Sequence, residues 1–322
     1  MRSAPAGQAW RKAAGVTRHA MRILLIGHGY VGSYLRPALE TAGCRVTVCE
    51  QVAARLAGVA NAVHCRYQEL TIGDLAGFDA VLWFAGHSSV PMALADPDGA
   101  IANNCLDLLQ LTKRKPLGMR LIYASTGSVY SVEQAEGGKP PPTMDETETL
   151  LNPVNPYDCS KISFDSLARC FATAVTGLRL GTVCGFSPQL RAELIFNAMN
   201  RTALGEGRVR VANPGSHRNI LFLDDLAHYV LGLLKIPGAL PPILNAGSLN
   251  LSVGELGRAV ASFHRVPLEA MPGSKTYSFR MNCARMHALC GTPRAASLAE
   301  RCAELTAGLL ASEPSPELRK AS

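Results

Sequence analysis

The stretch whose reading decides the fold is Arg22–Gly32, RILLIGHGYVG. Arg22 to Ile26 rise into an apolar run of the kind that a strand buried on both faces carries. Gly27, His28 and Gly29 then force a turn, and Tyr30–Leu39 continue with helical spacing through Val31, Tyr34, Leu35 and Leu39. In such a strand–turn–helix unit each glycine has its own task. Gly27 allows the tight turn, Gly29 removes a side chain where a pyrophosphate would approach the backbone, and Gly32 lets the helix pack on the strand. The helix start offers free N–H groups and partial positive charge to the phosphates.

A glycine turn alone is a weak signal, so its surroundings matter. A second apolar run, Val46–Cys49, ends in Glu50. An acid ~20 residues beyond the turn suits the ribose hydroxyls of NAD and repels the 2′-phosphate of NADP. NAD is therefore the expected cofactor. NADP is the lesser reading, kept open by Arg55. The plain alternative is a helix capped at Gly43 followed by a solvated glutamate.

The chain has 322 residues, 48% of them hydrophobic, enough to bury a large core. Its net charge of +7 points at first to nucleic acid. Residues 1–20 carry Arg2, Arg11, Lys12 and Arg18 and no acid, so more than half of that excess sits in the first twenty residues. The remainder shows no basic stripe interleaved with aromatics, which argues against a nucleic-acid partner. Its mild positive balance suits an anionic small molecule. Residues 1–20 read as a disordered leader without the apolar segment of a secretory signal. A transit peptide and an upstream start codon before Met21 explain them equally well. No apolar stretch approaches ~18 residues, so no membrane span is expected. Ten cysteines lie scattered with no CxxC pair, mostly in apolar segments. That distribution fits free thiols in the cytoplasm, with no disulfide framework and no metal site.

Beyond Glu50, strand and helix signals alternate. Residues 61–67, 79–85 and 119–125 read as strands, 92–113 and 156–173 as helices, and 177–183 as a further strand. This is the pattern of an α/β protein with a doubly wound, Rossmann-type parallel sheet. Residues 131–155 form a long loop rich in Pro, Gly and acids, of the kind a domain tolerates where a site needs covering. From Ser187 the texture changes, with shorter strands and helices that include Ser252 and Glu255 as a capping box. The expected division is a dinucleotide-binding domain over 21–186 and a smaller α/β substrate lobe over 187–322, with segments returning to the first sheet.

Tyr157 and Lys161 lie four residues apart on one predicted helix and so share a face. The strand before it ends in Ser125 and Thr126, at the carboxyl edge where ligands of doubly wound folds bind. A phenol, an ammonium and a hydroxyl beside a nicotinamide can move a proton and a hydride together. To act as a base near neutrality the phenol must fall about three units from ~10, roughly 4 kcal/mol of differential stabilisation. Lys161 and the cationic nicotinamide are the expected source, and Thr126 would hold the substrate oxygen.

At these residues the sequence resembles the extended short-chain dehydrogenase/reductase family of nucleotide-sugar epimerases and dehydratases. The resemblance runs from about Met21 to Leu310. It rests on IGHGYVGSYL (26–35), DAVLWFAG (79–86), YASTGSVYS (123–131), NPYDCSK (155–161) and HRNILFLDDLA (217–227). It implies that Tyr157 is the catalytic acid/base, Lys161 its partner and cofactor-ribose ligand, and Thr126 the third member. It places Gly27, Gly29, Tyr30, Val31, Gly32, Glu50 and Ser125 at the cofactor, with Phe84, Ala85 and Gly86 on the adenosine and pyrophosphate side. Asn103 or Asn104 would approach the nicotinamide ribose, and Val183 would present backbone to the nicotinamide. Arg218 matches an arginine that grips a substrate diphosphate in relatives, Asn197 a substrate-binding asparagine, and His87 would border the pocket. Plainer roles stand beside these: Arg218 as partner of Asp224 or Asp225, Asn197 as a helix-surface residue, Asn103 bonding within its helix. His28 is expected to point outward from its turn.

The pair after Thr126 bears on the reaction. Dehydratases of the family carry Asp-Glu there, and decarboxylating relatives keep the second acid; this chain has Gly127-Ser128. What remains needs only hydride transfer at a carbinol. A 4-epimerase acting on a nucleotide sugar through a keto intermediate is expected first, and a ketoreductase or dehydrogenase second. A non-catalytic dinucleotide sensor is the reading from another class. A second arginine to accompany Arg218 is not evident, Lys275 being the nearest candidate. Relatives often dimerise through the helices at 92–113 and 156–173, so a homodimer is expected.

Overall fold

The computed structural model describes residues 20–132, 140–148, 151, 153–171, 174–273 and 276–312. Residues 1–19 of the leader, Lys275 and parts of the 131–155 loop lie outside the described residues. The chain opens with strand β1 (Arg22–Ile26), helix α1 (Tyr30–Thr41) and strand β2 (Arg45–Glu50). Strands β3 (Ala62–His64), β4 (Ala80–Trp83), β5 (Arg120–Thr126), β6 (Thr143–Met144), β7 (Val175–Leu180), β8 (Thr182–Cys184), β9 (Val209–Val211), β10 (His217–Phe222) and β11 (Ile243–Ala246) follow. Seven of these form one sheet in the order β11-β7-β5-β4-β1-β2-β3, with every pairing parallel. The order reverses beside β1, which places a crevice at the carboxyl edge between β1 and β4.

Burial explains the apolar runs. Successive residues of a strand face opposite sides of the sheet. Ile23 and Leu25 pack into one core with Leu35, Leu39 and Leu226, whereas Leu24 and Ile26 pack into another with Leu108 and Phe164. Both faces are covered, so no polar alternation survives in β1.

Three expectations shift in register or continuity. The single helix over 92–113 is broken. Asp96 caps a new turn at Pro97, accepting from the Gly99 N–H at 2.9 Å, and one π turn, Ala102–Leu106, precedes the helix Asp107–Arg114. Proline lacks the N–H that would have continued the first segment. The strand over 177–183 divides at Gly181: β7 stays in the large sheet, and β8 pairs with β10 in a three-stranded sheet. The third strand keeps only three residues and gives way to a 3-10 turn at Tyr67–Glu69.

The capping box forms as read, Ser252 Oγ accepting from Glu255 N–H and Glu255 from the Ser252 N–H at 2.7 Å. Beyond it lies a third core, built from Phe196, Val209, Phe222, Leu256 and Leu305 among others. β11 runs back to the edge of the large sheet.

Candidate active site

Gly27 sits at φ +95°, and a Cβ there would stand 2.7 Å from the Ala85 nitrogen. A Cβ on Gly32 would stand 2.0 Å from the Gly27 carbonyl oxygen. Both glycines are required by the protein's own packing. Gly29 is different, because a Cβ there would meet nothing nearer than Arg55 Nη1 at 3.9 Å. The space above it opens into a groove of about 680 Å³ that also takes in Glu50, Arg55, Phe84, Ala85, Gly86 and Asn103. Gly32 does not line that groove.

The end of β2 is held tightly. Glu50 is buried and accepts from the His28 N–H at 2.7 Å and the Val52 N–H at 2.9 Å. Arg55 lies 3.8 Å from the same carboxylate, so its charge faces an acid within the groove. His28 turns inward against expectation. Its Nδ1 lies 2.7 Å from the Arg55 carbonyl and its Nε2 accepts from Arg36, which staples the glycine turn to the segment after β2.

Beside the groove, and sharing Tyr30, Val31, Phe84, Ala85, His87 and Arg191 with it, is a chamber of about 260 Å³. Ser125, Thr126, Ser128, Tyr157, Lys161, Val183 and Arg218 line it, with Tyr277 and Phe279 opposite. Helix α2 (Pro156–Ala168) supplies Tyr157 and Lys161, capped by Asn155 through the Asp158 N–H at 3.0 Å. The Lys161 ammonium donates to the Ala124 carbonyl at 2.9 Å and lies 6.0 Å from the centre of the Tyr157 ring. Ser125 Oγ is buried with no partner among the described residues.

Burial dominates the electrostatics. It pushes the Tyr157 phenol up to about 12, with the Thr126 hydroxyl pulling against it, the Asp158 carboxylate adding to it, and Arg191 opposing. It draws the Lys161 ammonium down to about 8. The expected fall in the phenol is therefore absent from the protein alone, because the loss of water around the phenol outweighs the opposing pull of Thr126 and Arg191.

Arg218 does not pair with Asp224 or Asp225, which bind Arg301 instead. It donates to the His217 carbonyl at 3.0 Å and to Thr276 Oγ1 at 2.6 Å, over the Tyr277 ring. Arg191 was not among the residues that the sequence pointed to as a site. It bonds the Ser88 carbonyl at 3.1 Å and lines both cavities, so the chamber gathers two arginines and a lysine. No carboxylate is among its described lining residues.

Asn197 departs from its expected place at the substrate. It is fully buried, accepts from the Gly185 N–H at 3.0 Å, and donates to Tyr30 Oη at 3.1 Å and the Arg191 carbonyl at 3.0 Å. Its amide is spent on holding the chamber wall. Asn103 reaches the groove and bonds Tyr67 and His87 rather than its own helix. Asn104 is fully buried behind it, on Ser160 Oγ at 2.9 Å. His87 lines both cavities, its Nε2 3.3 Å from Asp96.

A groove at the switch point of a doubly wound sheet, opening on a Tyr–Lys–Thr chamber, defines a dinucleotide-dependent enzyme of the short-chain dehydrogenase/reductase class. Residues 23–247 match the model of the NAD dependent epimerase/dehydratase family, and the chain belongs to that family, whose cofactor is NAD. It is 30% identical over 175 residues to a UDP-glucose 4-epimerase of Azospirillum brasilense, covering 51% of this chain and 48% of that protein. It is 35% identical over 170 residues to a GDP-6-deoxy-D-mannose reductase of Pseudomonas aeruginosa, covering 49% and 54%. The chain thus spans about half the length of the curated relatives it matches. Among solved structures, an NAD-dependent NDP-hexosamine 5,6-dehydratase of tunicamycin biosynthesis superposes with a TM-score of 0.76 at 22% identity, over 91% of this chain and 99% of that one. That likeness is one of fold. The three relatives carry out three different reactions.

Proposed function

We propose that this protein is a nucleotide-sugar 4-epimerase that works by hydride transfer through a keto intermediate. The carrying observation is the composition of the chamber: Tyr157, Lys161 and Thr126 beside two arginines, with no carboxylate among the described lining residues. Elimination of water needs an added acid and base, and Gly127 and Ser128 supply neither, a side chain at position 127 having first to displace Met281. A Cβ on Gly127 would stand 2.4 Å from Met281 Sδ and 3.1 Å from the Leu180 oxygen. A carbinol oxidation and its reversal need only one acid/base and a hydride acceptor.

The residues fit NAD. Gly29 leaves space for the pyrophosphate, Glu50 stands where adenosine-ribose hydroxyls would be recognised, and Ser125 Oγ awaits a partner. Bound NAD supplies the hydride acceptor and a positive charge beside the phenol. Gly27, Tyr30, Val31, Phe84, Ala85, Gly86, Asn103 and Val183 would shape the walls around it, and Lys161 would hold the nicotinamide ribose. Arg218 and Arg191 would take the diphosphate of a nucleotide sugar, bidentate recognition being what guanidinium does well. Tyr157 would move the proton of the carbinol.

Among the described residues no helix is long and apolar enough to cross a membrane. All ten cysteines are free, which supports a reducing compartment such as the cytoplasm. A homodimer through the 92–113 and 156–168 helices would cover the exposed side chains of Leu94, Leu106 and Leu167. We also propose the division into a dinucleotide-binding domain over 21–186 and a substrate lobe beyond it.

The test is the cofactor that the purified protein releases on denaturation. Near-stoichiometric NAD supports an epimerase that retains it through turnover. An empty site that prefers NADPH in a melting assay turns the reading to the ketoreductase.

A further inference from the structure

Cys49 stands next to last in β2, and Cys65 directly follows β3, the strand paired with it at the edge of the large sheet. The register sets Cys49 beside Val63, and Cys65, two residues on, shares that face. The two sulfurs lie 3.4 Å apart, and the Cys49 thiol donates to the Cys65 carbonyl at 3.7 Å. A disulfide needs about 2.05 Å between sulfurs, so this pair has only about 1.4 Å to close.

The two thiols are not equivalent. Cys49 is buried in the core with Tyr67 and Trp83, whereas Cys65 is half-buried and packs at the margin of that core. Burial is the first influence that raises the Cys49 thiol, followed by the Cys65 thiol, Glu50 and Glu69. Cys65 is then the sulfur that an oxidant reaches first. The backbone gives the pair its reach. The Cys49 carbonyl accepts the Gly27 N–H at 2.9 Å, and Cys49 lines the large groove together with Glu50 and Tyr67. Glu50, next along, holds the His28 and Val52 N–H groups. A pull on Cys49 therefore moves the glycine turn and the acid together.

We propose that Cys49 and Cys65 form a reversible disulfide under a peroxide, and that its closure loosens NAD in the groove. The proposal rests on the reading of that groove as the NAD site. In the first step the Cys65 sulfur attacks the O–O bond of the peroxide. An S–O bond forms, the O–O bond breaks, and the departing hydroxide takes the thiol proton as water, leaving a sulfenic acid. The Cys49 sulfur then attacks the Cys65 sulfur. The S–S bond forms, the S–O bond breaks, and hydroxide leaves with the Cys49 proton as a second water. Two thiols have lost two electrons, and hydrogen peroxide has become two waters. A sulfur 3.4 Å away is already at attack distance, which offsets the cost of ionising a buried thiol. A small dithiol reverses the bond by exchange.

The test treats the reduced, cofactor-free protein with hydrogen peroxide and reads two properties of the same sample. These are the tryptic map without reduction and the NAD affinity by calorimetry. Trypsin cuts after Arg45, Arg55 and Arg66, so wild type should yield residues 46–55 joined to 56–66. It should also bind NAD about tenfold or more weaker until dithiothreitol restores it. Cys65→Ala, outside the groove lining, should bind NAD as wild type does and ignore the peroxide. Cys49→Ala should strand a Cys65 sulfenic acid that dimedone labels. Because coupling is reciprocal, saturating NAD should raise the reduction potential of the pair, by about 30 mV for a tenfold effect. Absence of the joined peptides, with Cys65 either still reduced or carried on to a sulfinic acid, overturns the disulfide. Joined peptides with unchanged NAD affinity overturn its control of the cofactor. Gly29→Ala tests the underlying reading by itself: NAD binding as tight as in wild type would remove the cofactor from the groove, and the proposal with it, whatever the cysteines do.

Discussion

Lys161 shows how a single residue can work against the fold that carries it. The residue is 4% exposed, and among the described residues its ammonium has one hydrogen-bond partner, a carbonyl. With the folded value near 8 against an ordinary 10.5, the native state binds fewer protons than the unfolded chain between those limits. Stability of the cofactor-free protein should therefore rise with pH across that window, and below it the fold carries a penalty of about 3 kcal/mol. Lys161→Met should raise the denaturant midpoint near neutrality and flatten the rise, while removing activity. A lower midpoint would contradict this. The glycines divide on the same scale. Gly27→Ala, at positive φ and against the Ala85 backbone, should cost more than about 2 kcal/mol. Gly29→Ala should leave stability within about 0.5 kcal/mol yet weaken NAD binding roughly tenfold or more, read by calorimetry. The glycine turn was legible in the sequence, which assigned Gly27 to the turn, Gly32 to packing and Gly29 to a ligand, because each task follows from where a side chain would sit in a strand–turn–helix unit.

At the scale of elements, the decisive piece is α2, and a buried charge network fixes its rotation. Asp165 pairs with Arg179 of β7 at 2.8 Å, both 1% exposed, and accepts from Tyr123 of β5 at 2.8 Å. Arg179 also donates to Tyr130 Oη at 2.6 Å, which bonds Asn245 of β11. One helix is thereby tied to three strands beneath the chamber. Asp165→Asn should destabilise the protein by about 3–5 kcal/mol, measured by urea unfolding, because it strands a buried guanidinium. A loss below about 1 kcal/mol would show that packing alone holds the helix. The YxxxK spacing was readable because helical periodicity is local. The network was not, since its members come from elements far apart in the chain.

At the scale of the molecule, the large sheet was legible because strands buried on both faces leave continuous apolar runs, and the chamber's far wall was not. Tyr277 reaches Asp158 across 119 residues, and Phe279 and Met281 close over Gly127 from the same segment. No spacing rule connects them. Arg191 was missed because it lies in an irregular stretch between β8 and the next helix, without a periodic signature. Together these contacts make a chamber whose charged described side chains are all cationic, suited to an anionic substrate and to chemistry without a carboxylate. The measurement that bears most directly on this account is reduced-nicotinamide absorbance on mixing NAD-loaded protein with UDP-glucose, UDP-galactose and other nucleotide sugars. Wild type should reduce its cofactor transiently with at least one of them and invert its C4 carbinol, and Tyr157→Phe should slow the reduction by about 100- to 10,000-fold. Equal rates in the two proteins, or no reduction with any sugar tried while NAD stays bound, would contradict it.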